Sequence, residues 1–447
     1  MGNTYAEQVL KKKYDSRTKI DSIAFQDVGF INDIPRTVGP DGEDFTSFLE
    51  LSGGIGWSGT RQAARAAAGQ GAQRGNGSFQ AIKNSAGAIK GEARVRQRDV
   101  ERGNEGSAAA LRAVAASVDG HLKNFGPMVE WMATNSSVDM RLCTITIASG
   151  VCTITSNPEH INRVIEDMTL VASTTPGTSG SLVGSGSIGY VKAVTHLGAT
   201  PTFSVSPSSG GAVGTPSGWP EATTLYVFLN GVYAPSNGGA GIDGGTDGDE
   251  SGFVLDTIES WNPAAGSVSL SAPFKTMVRS TNDLMAGITL TAAEVANLNI
   301  LQRIEKLAVV GRSRGRWPRN RMVNAYVQTI RFNEAAQLIK REDMRMAGFA
   351  LKDQGKAKTG YNYIVITCIG GEIRLEECPL YEPDVCRMLN PDDGNIHSAA
   401  GFPNVVGDID GLKWIRDPDT DQYVLQYSAH ASLRFRNPGM LAQCPLD

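Results

Sequence analysis

The sequence predicts an α+β protein with mixed sheets and more than one lobe, and three features carry that prediction. Leu111, Val114, Val118, Leu122, Phe125, Val129 and Met132 recur at three- and four-residue steps, which is one apolar stripe on a long helix. Tyr423, Leu425, Tyr427, Ala429, Ala431, Leu433 and Phe435 occupy every second position, the period of a long strand with one buried face. The chain of 447 residues, 41% apolar and 20% charged, is ordinary for a folded protein and too long for one compact core.

The first fifty residues mix charges with scattered hydrophobes and read as an arm. Two extended runs follow at residues 79–83 and 89–99, around a turn at 84–87, and are expected to pair as a hairpin. In the second run Arg94, Arg96 and Arg98 alternate with Ala93, Val95 and Gln97. Residues 61–102 hold nine Arg and Lys against Glu92, Asp99 and Glu101. Three readings fit this excess: docking on an acidic neighbour, a solvated arginine face, or nucleic-acid contact. The third is poorly served, because Phe79 is the hairpin's one aromatic residue. A two-stranded hairpin cannot bury a core alone, so it must lie on something else.

The helix comes next, with Gly126-Pro127 expected to bend or interrupt it. A hairpin at 143–147 and 151–155 turns at residues 148–150, and residues 157–168 read as a short helix. No acidic residue lies between Met168 and Glu221, where Gly, Ser, Thr, Val and Pro dominate; the best strands are 190–195 and 225–229. Residues 237–250 form a Gly/Asp loop. Thr291 and Glu294 make a capping box, with Leu290 and Val295 as a hydrophobic staple, opening an amphipathic helix over 295–307. Residues 322–327 are strand-like, 329–341 a second helix, and 363–367 with 372–375 a hairpin turned at Gly370-Gly371.

Signatures of chemistry are scarce. The net charge of −4 argues against a protein devoted to gripping nucleic acid. Cys143, Cys152, Cys368, Cys378, Cys386 and Cys444 include no C-x-x-C pair, and all six read as reduced. In the 143–155 hairpin, Cys143 and Cys152 are not placed to face each other. Residues 184–189 match G-x-G-x-x-G, but a strand-like segment follows where a dinucleotide site needs a helix, and the next acid is Glu221. Asp243, Asp247, Asp249 and Glu250 lack the spacing of a calcium loop. The five histidines are isolated, His397 in a loop and His430 on the polar face of the last strand. There is no Walker A sequence, no H-E-x-x-H and no nucleophile elbow. Residues 1–13 lack a signal-type apolar run, and no window looks like a membrane span.

The ordered set of elements resembles the major capsid proteins of tailed double-stranded DNA phages, the Hong Kong ninety-seven type of capsid fold. The similar stretches are residues 45–58, ending Gly53-Gly54-Ile-Gly-Trp-Ser, and 89–98 leading into the long helix. Residues 290–307 followed by Arg316-Trp-Pro-Arg319 are similar as well, as are 376–383 (Glu-Glu-Cys-Pro-Leu-Tyr-Glu-Pro), the loop 397–410 and Leu441-Ala-Gln-Cys-Pro445. The resemblance implies an N-terminal arm (1–50), an extended loop (51–103) and a peripheral domain (104–285) with a spine helix at 106–133. An axial domain (286–404) and return strands (405–447) complete it. The Gly/Ser/Thr stretch at about 174–250 is longer than a minimal subunit needs and reads as a β-rich insertion on the shell exterior.

What the resemblance implies in function is self-assembly as pentamers and hexamers into an icosahedral shell around the genome, with no enzymatic activity and no cofactor. Implied partners are further copies of the chain, a separate scaffolding protein, a portal at one vertex, a cement or decoration protein, and packaged double-stranded DNA touched non-specifically; no membrane is involved. The implied location is the virion, after synthesis and assembly in host cytoplasm. Candidate contacts between subunits are Arg94, Arg96, Arg98, Lys83 and Lys90. Some relatives form lysine–asparagine crosslinks, and nothing around Lys83 or Lys90 assigns that chemistry. The alternatives are an encapsulin-like compartment shell, a hydrolase with a β-rich accessory domain, and a tail or fibre protein. The missing nucleophile elbow counts against the hydrolase, and the long helix without repeats counts against the fibre.

Overall fold

The computed structural model describes residues 29–38, 44–52, 78–85, 87–96, 108–134, 141–175, 182–196, 200–230, 258–262, 273–274, 277–278, 287–313, 323–341, 363–368, 371–398, 404–406, 415–417 and 422–446. Outside them lie Arg98, the stretches 53–58 and 316–319, and residues 237–250 with their four acids.

A short helix α1 (Gly29–Asp33) leads into β1 (Arg36–Val38), which pairs in parallel with β18 (Gly394–Ser398). The next strand, β2 (Asp44–Ser52), pairs antiparallel with β3 (Ser78–Ser85), and the two form a sheet of their own. Strand β4 (Gly87–Arg96) does not fold back on β3. It pairs along ten residues with β21 (Gln422–Phe435), from Arg96↔Gln422 to Gly87↔Ala431. The expected hairpin of 79–83 with 89–99 is therefore corrected. Each run finds a partner distant in sequence, and the extended ribbon is β2 with β3. Strand β21 is central to a six-stranded sheet. Along its other edge run β20 (Ile415–Asp417), β19 (Asn404–Val406) and β18 in succession.

Helix α2 (Ala108–Thr134) spans 27 residues, about 40 Å at 1.5 Å per residue. Pro127 lies inside it, so the anticipated break at Gly126-Pro127 does not end the helix. Val118, Leu122, Phe125 and Val129 are buried as the stripe requires. From Met128 to Thr134 every side chain is buried, because the helix runs end-on into the core. Strand β21 buries Ala431, Leu433 and Phe435 on the expected face, and also Val424, whose parity is opposite. A short helix α3 (Ile258–Trp261) seals that sheet: Trp261 Nε1 donates to the Leu433 carbonyl at 3.1 Å and its ring meets Phe435 edge-on.

Strands β5 (Cys143–Ala148), β6 (Val151–Ile154), β7 (Thr169–Ser173), β8 (Gly189–Thr195), β9 (Thr202–Ser206) and β10 (Leu225–Leu229) close into a barrel in the order β10-β5-β6-β9-β8-β7. Closure leaves no free edge, and small apolar side chains such as Ile145, Ile147, Ile154, Val191 and Val205 fill the interior. The hairpin expected at 143–155 thus shares one closed barrel with strands of the Gly/Ser/Thr-rich stretch. The β5–β6 turn has two residues, Ser149 and Gly150, both at positive φ, since Ala148 pairs directly with Val151. The helix expected over residues 157–168 is a six-residue 3-10 helix, Pro158–Arg163. As expected, a strand follows the 184–189 glycines.

The small ribbon β11 (Pro273–Phe274) and β12 (Met277–Val278) precedes a second six-stranded sheet. Its order is β13 (Ile288–Thr289), β22 (Ala442–Pro445), β17 (Val385–Leu389), β14 (Val323–Val327), β16 (Gly371–Glu377) and β15 (Tyr363–Cys368). Helices α4 (Ala292–Val295), α5 (Ile300–Ser313) and α6 (Thr329–Arg341) accompany it, and together they enclose a second apolar core. The helix expected over 295–307 is two helices. Asn299 restarts the backbone, its Oδ1 accepting the Gln302 amide while Gln302 Oε1 accepts the Asn299 amide. The last strand, β22, belongs to this sheet and not to the sheet of β21, and β18 belongs with β21. The expected boundaries at 404 and 405 are therefore crossed by the chain in both directions.

Candidate inter-subunit surface and arm anchor

Of the candidate contact residues, Lys83 lies on β3 opposite Thr46. Lys90 and Arg94 lie on β4 opposite Ser428 and Val424. Arg96 stands exposed beside the buried Val95, and Arg98 falls outside the described residues. Lys90, Arg94 and Arg96 therefore share one strand of the large sheet, while Lys83 sits apart on the β2–β3 ribbon. That ribbon is eight to nine residues long with no third strand among the described residues. A lone two-stranded ribbon is marginal in water and offers unpaired backbone groups along its edges.

Three polar junctions tie the body together, and sequence reasoning singled out none of them. At the first, α1 rests on the end of α2. Phe30 and Ile31 are fully buried, Phe30 meets Tyr326 edge-on, and the Phe30 amide donates to Glu130 Oε1 at 2.6 Å. Asp33 Oδ2 accepts the Tyr326 hydroxyl at 2.7 Å and Asn324 Nδ2 at 2.8 Å.

At the second junction Arg387, 3% exposed, donates to the Thr134 carbonyl at 2.6 Å and to Gln443 at 3.3 Å, with its guanidinium over the Tyr381 ring. A cation on the last turn of α2 answers both an unpaired carbonyl and the negative end of the helix dipole. The third seats the barrel. Arg163 reaches the Leu142 and Tyr381 carbonyls and the Glu382 carboxylate, the last at 3.0 Å, and lies over Trp131. His160 bridges Ser156 and Glu382.

Burial keeps the His160 imidazole below its ordinary value. Burial works to raise the Glu382 carboxyl, but the His160 hydrogen bond and the Arg163 charge hold it below the ordinary carboxylate range. Beside this seat an open cleft of about 490 Å³ is lined by Asn124, Pro127, Val164, Glu166, His196 and Leu380, among others.

All six cysteines are buried and unbridged. Cys386 and Cys444 oppose each other across β17 and β22. The Leu446 amide bonds to the Asp384 carbonyl two residues away, so this is a hydrogen-bonded register with the wider Cβ spacing. Among the described residues no group of three His, Cys, Asp or Glu could hold a metal ion, and no helix is long and apolar enough to cross a membrane.

The signal that could have exposed the first junction is a charge inside an apolar run, Val129-Glu130-Trp131-Met132. A buried acid there has to be satisfied by something.

No model of a known protein family matches the chain, and no curated protein matches it. Solved structures do. The chain is similar to the capsid asymmetric unit of cyanophage A-1(L), with 12% identity, a TM-score of 0.44, and coverage of 93% of this chain and 92% of that one. It is similar to the satellite phage P4 procapsid that includes the size determination protein, with 10% identity, a TM-score of 0.39 and coverage of 96% and 98%. The virus-like particle from Pyrococcus furiosus follows at 7% identity, a TM-score of 0.36 and coverage of 96% of each chain. All three likenesses run over nine-tenths of the chain and all three TM-scores stay under 0.5.

Proposed function

We propose that the chain is the major capsid protein of a tailed double-stranded DNA phage, a subunit that assembles as pentamers and hexamers into an icosahedral shell around the genome. The observation that carries this reading is the order and pairing of the chain's own elements. A two-stranded ribbon, β2 with β3, comes first. A strand of the large sheet, a 27-residue helix end-on in the core, a barrel, and a second sheet with its own core follow. A ribbon with free edges is stabilised when it lies across a neighbouring copy, and repetition of that contact closes rings and then a shell.

On this reading Arg94, Arg96, Arg98, Lys83 and Lys90 face acidic patches of an adjacent subunit. The barrel stands on the outer surface, available to a cement or decoration protein. A separate scaffolding protein, a portal at one vertex and non-specific contact with packaged DNA complete the assembly, which forms in the host cytoplasm and ends in the virion. The chain acts as a structural protein without catalysis. An encapsulin-like shell is the second reading, because its subunit would use the same ribbon and two-core plan.

Negative-stain electron microscopy of the purified protein, expressed alone and with a candidate scaffolding protein, tests the proposal. Closed shells or five- and six-membered rings are expected. A monodisperse monomer under both conditions contradicts it. Nucleic acid inside the shells separates the phage reading from a protein-filled compartment.

A further inference from the structure

Where residues 29–38 of the N-terminal arm meet the body, carboxyl groups outnumber cations among the described residues. Glu130, in the last turn of α2, is 2% exposed. Its carboxyl accepts the Phe30 amide at 2.6 Å and the Cys378 thiol at 3.7 Å, and the Ile31 amide also donates to it. Among the described residues it has no salt-bridge partner. The one charged side chain that bears on it from α1 is Asp33, of the same sign. Asp33 is held by Asn324 and Tyr326 of β14. From β16, Glu376 packs against Asp33 and pairs with Arg374, the cation of this group. Arg36, on the arm itself, bonds to Asn32, and Arg387 is occupied by Thr134, Gln443 and the Tyr381 ring. Three carboxyls from α1, α2 and β16 thus converge where the arm docks.

We propose that this cluster is a proton-controlled latch for the N-terminal arm: protonated Glu130 and Glu376 hold residues 29–38 on the end of α2 and β1 on the edge of β18, and their ionisation frees the arm. Ionised Glu130 is a buried carboxylate with no paired cation among the described residues, and ionised Glu376 faces the like charge of Asp33 beside its partner Arg374. Ionisation therefore favours the state in which water reaches them. Burial pushes the Glu130 carboxyl up to about 8 from an ordinary 4.5. Burial, then the charge of Asp33, pushes Glu376 to about 8 as well. Both pKa values are raised in the docked state. Docking is therefore strongest below pH 4.5 and weakens as pH rises to about 8. Release uncovers the β18 edge, which then offers a strand template to another segment. The latch is a property of the single chain and stands apart from the capsid reading.

Hydrogen exchange of the full-length protein tests it, with rates corrected for intrinsic pH dependence and the barrel segment 143–154 as internal reference. Protection of residues 29–38 relative to the barrel is expected to fall about tenfold or more between pH 5 and pH 8, then level off. Glu130→Gln keeps an acceptor for the Phe30 amide and removes one of the two titrations, so its profile is expected to be shallower than the wild type, with Glu376 still titrating. Wild-type protection that is constant over this range overturns the latch, as does a Glu130→Gln profile that tracks the wild type. Should Glu130→Gln fail to fold, Glu376→Gln leaves the Phe30 contact in place. A profile as steep as the wild type in that variant also overturns the proposal.

Discussion

Arg387 and Gly150 show how single residues carry structure here. Arg387 is a buried cation held by carbonyl and amide oxygens and an aromatic face. Truncating it leaves the Thr134 carbonyl unanswered at the dipole-negative end of α2. Arg387→Ala is therefore expected to cost about 2–4 kcal/mol, read as a lower denaturation midpoint at unchanged denaturant slope. Gly150 has φ +79°, and a Cβ there would lie 2.5 Å from the Gly214 backbone. Gly150→Ala meets both a strained conformation and a backbone clash, and is expected to cost about 1–3 kcal/mol, whereas Ala at the open Gly120 is tolerated. At the surface, Arg96→Glu is expected to leave soluble protein at wild-type yield and to reduce particle formation. Intact particles in normal number from that variant would remove the β4 arginines from the subunit contact.

Elements were legible in the sequence where their apolar period is long and uninterrupted. Helix α2, strand β21 from Ala431 to Phe435, the β15–β16 hairpin and helix α6 follow directly from spacing. Pairing was less legible, because a strand does not name its partner. The runs at β3 and β4 look like a hairpin locally, and distant strands outcompete that turn. The β5–β6 hairpin is legible by its alternation, but its closure into one barrel with β7–β10 is not, because pairing across the change in composition near residue 169 leaves no local mark. The α4–α5 break was hidden because apolar spacing runs straight through it, while Asn299 recloses the backbone on its far side. The arm anchor and the barrel seat join residues more than a hundred apart, which no local pattern reports.

The seat itself has a pH signature. Glu382 is held below the ordinary carboxylate range, so its contribution is present above pH 4.5 and is lost as pH falls through its folded value. With its side chain 30% exposed, about 1 kcal/mol is expected. Melting temperatures of wild type and Glu382→Gln should differ at neutral pH and converge in acid; a constant gap would show that the carboxylate charge is not what seats the barrel.

At the scale of the whole molecule, the chain holds two apolar cores with a 27-residue helix end-on in the first and a barrel seated beside it. No third strand pairs with its β2–β3 ribbon among the described residues, although β3 lies against β21. If the ribbon lies on a neighbour, a protease should cut within residues 44–52 or 78–85 of dissociated subunits and spare them in particles. Cleavage at equal rates in both states would show that assembly does not cover the ribbon. The most direct test of the central claim is the mass of the species in solution. Native mass spectrometry of the purified 47.5 kDa chain is expected to show five- and six-fold multiples of the subunit mass. A spectrum of monomers alone, at concentrations where the protein is folded, would contradict the account.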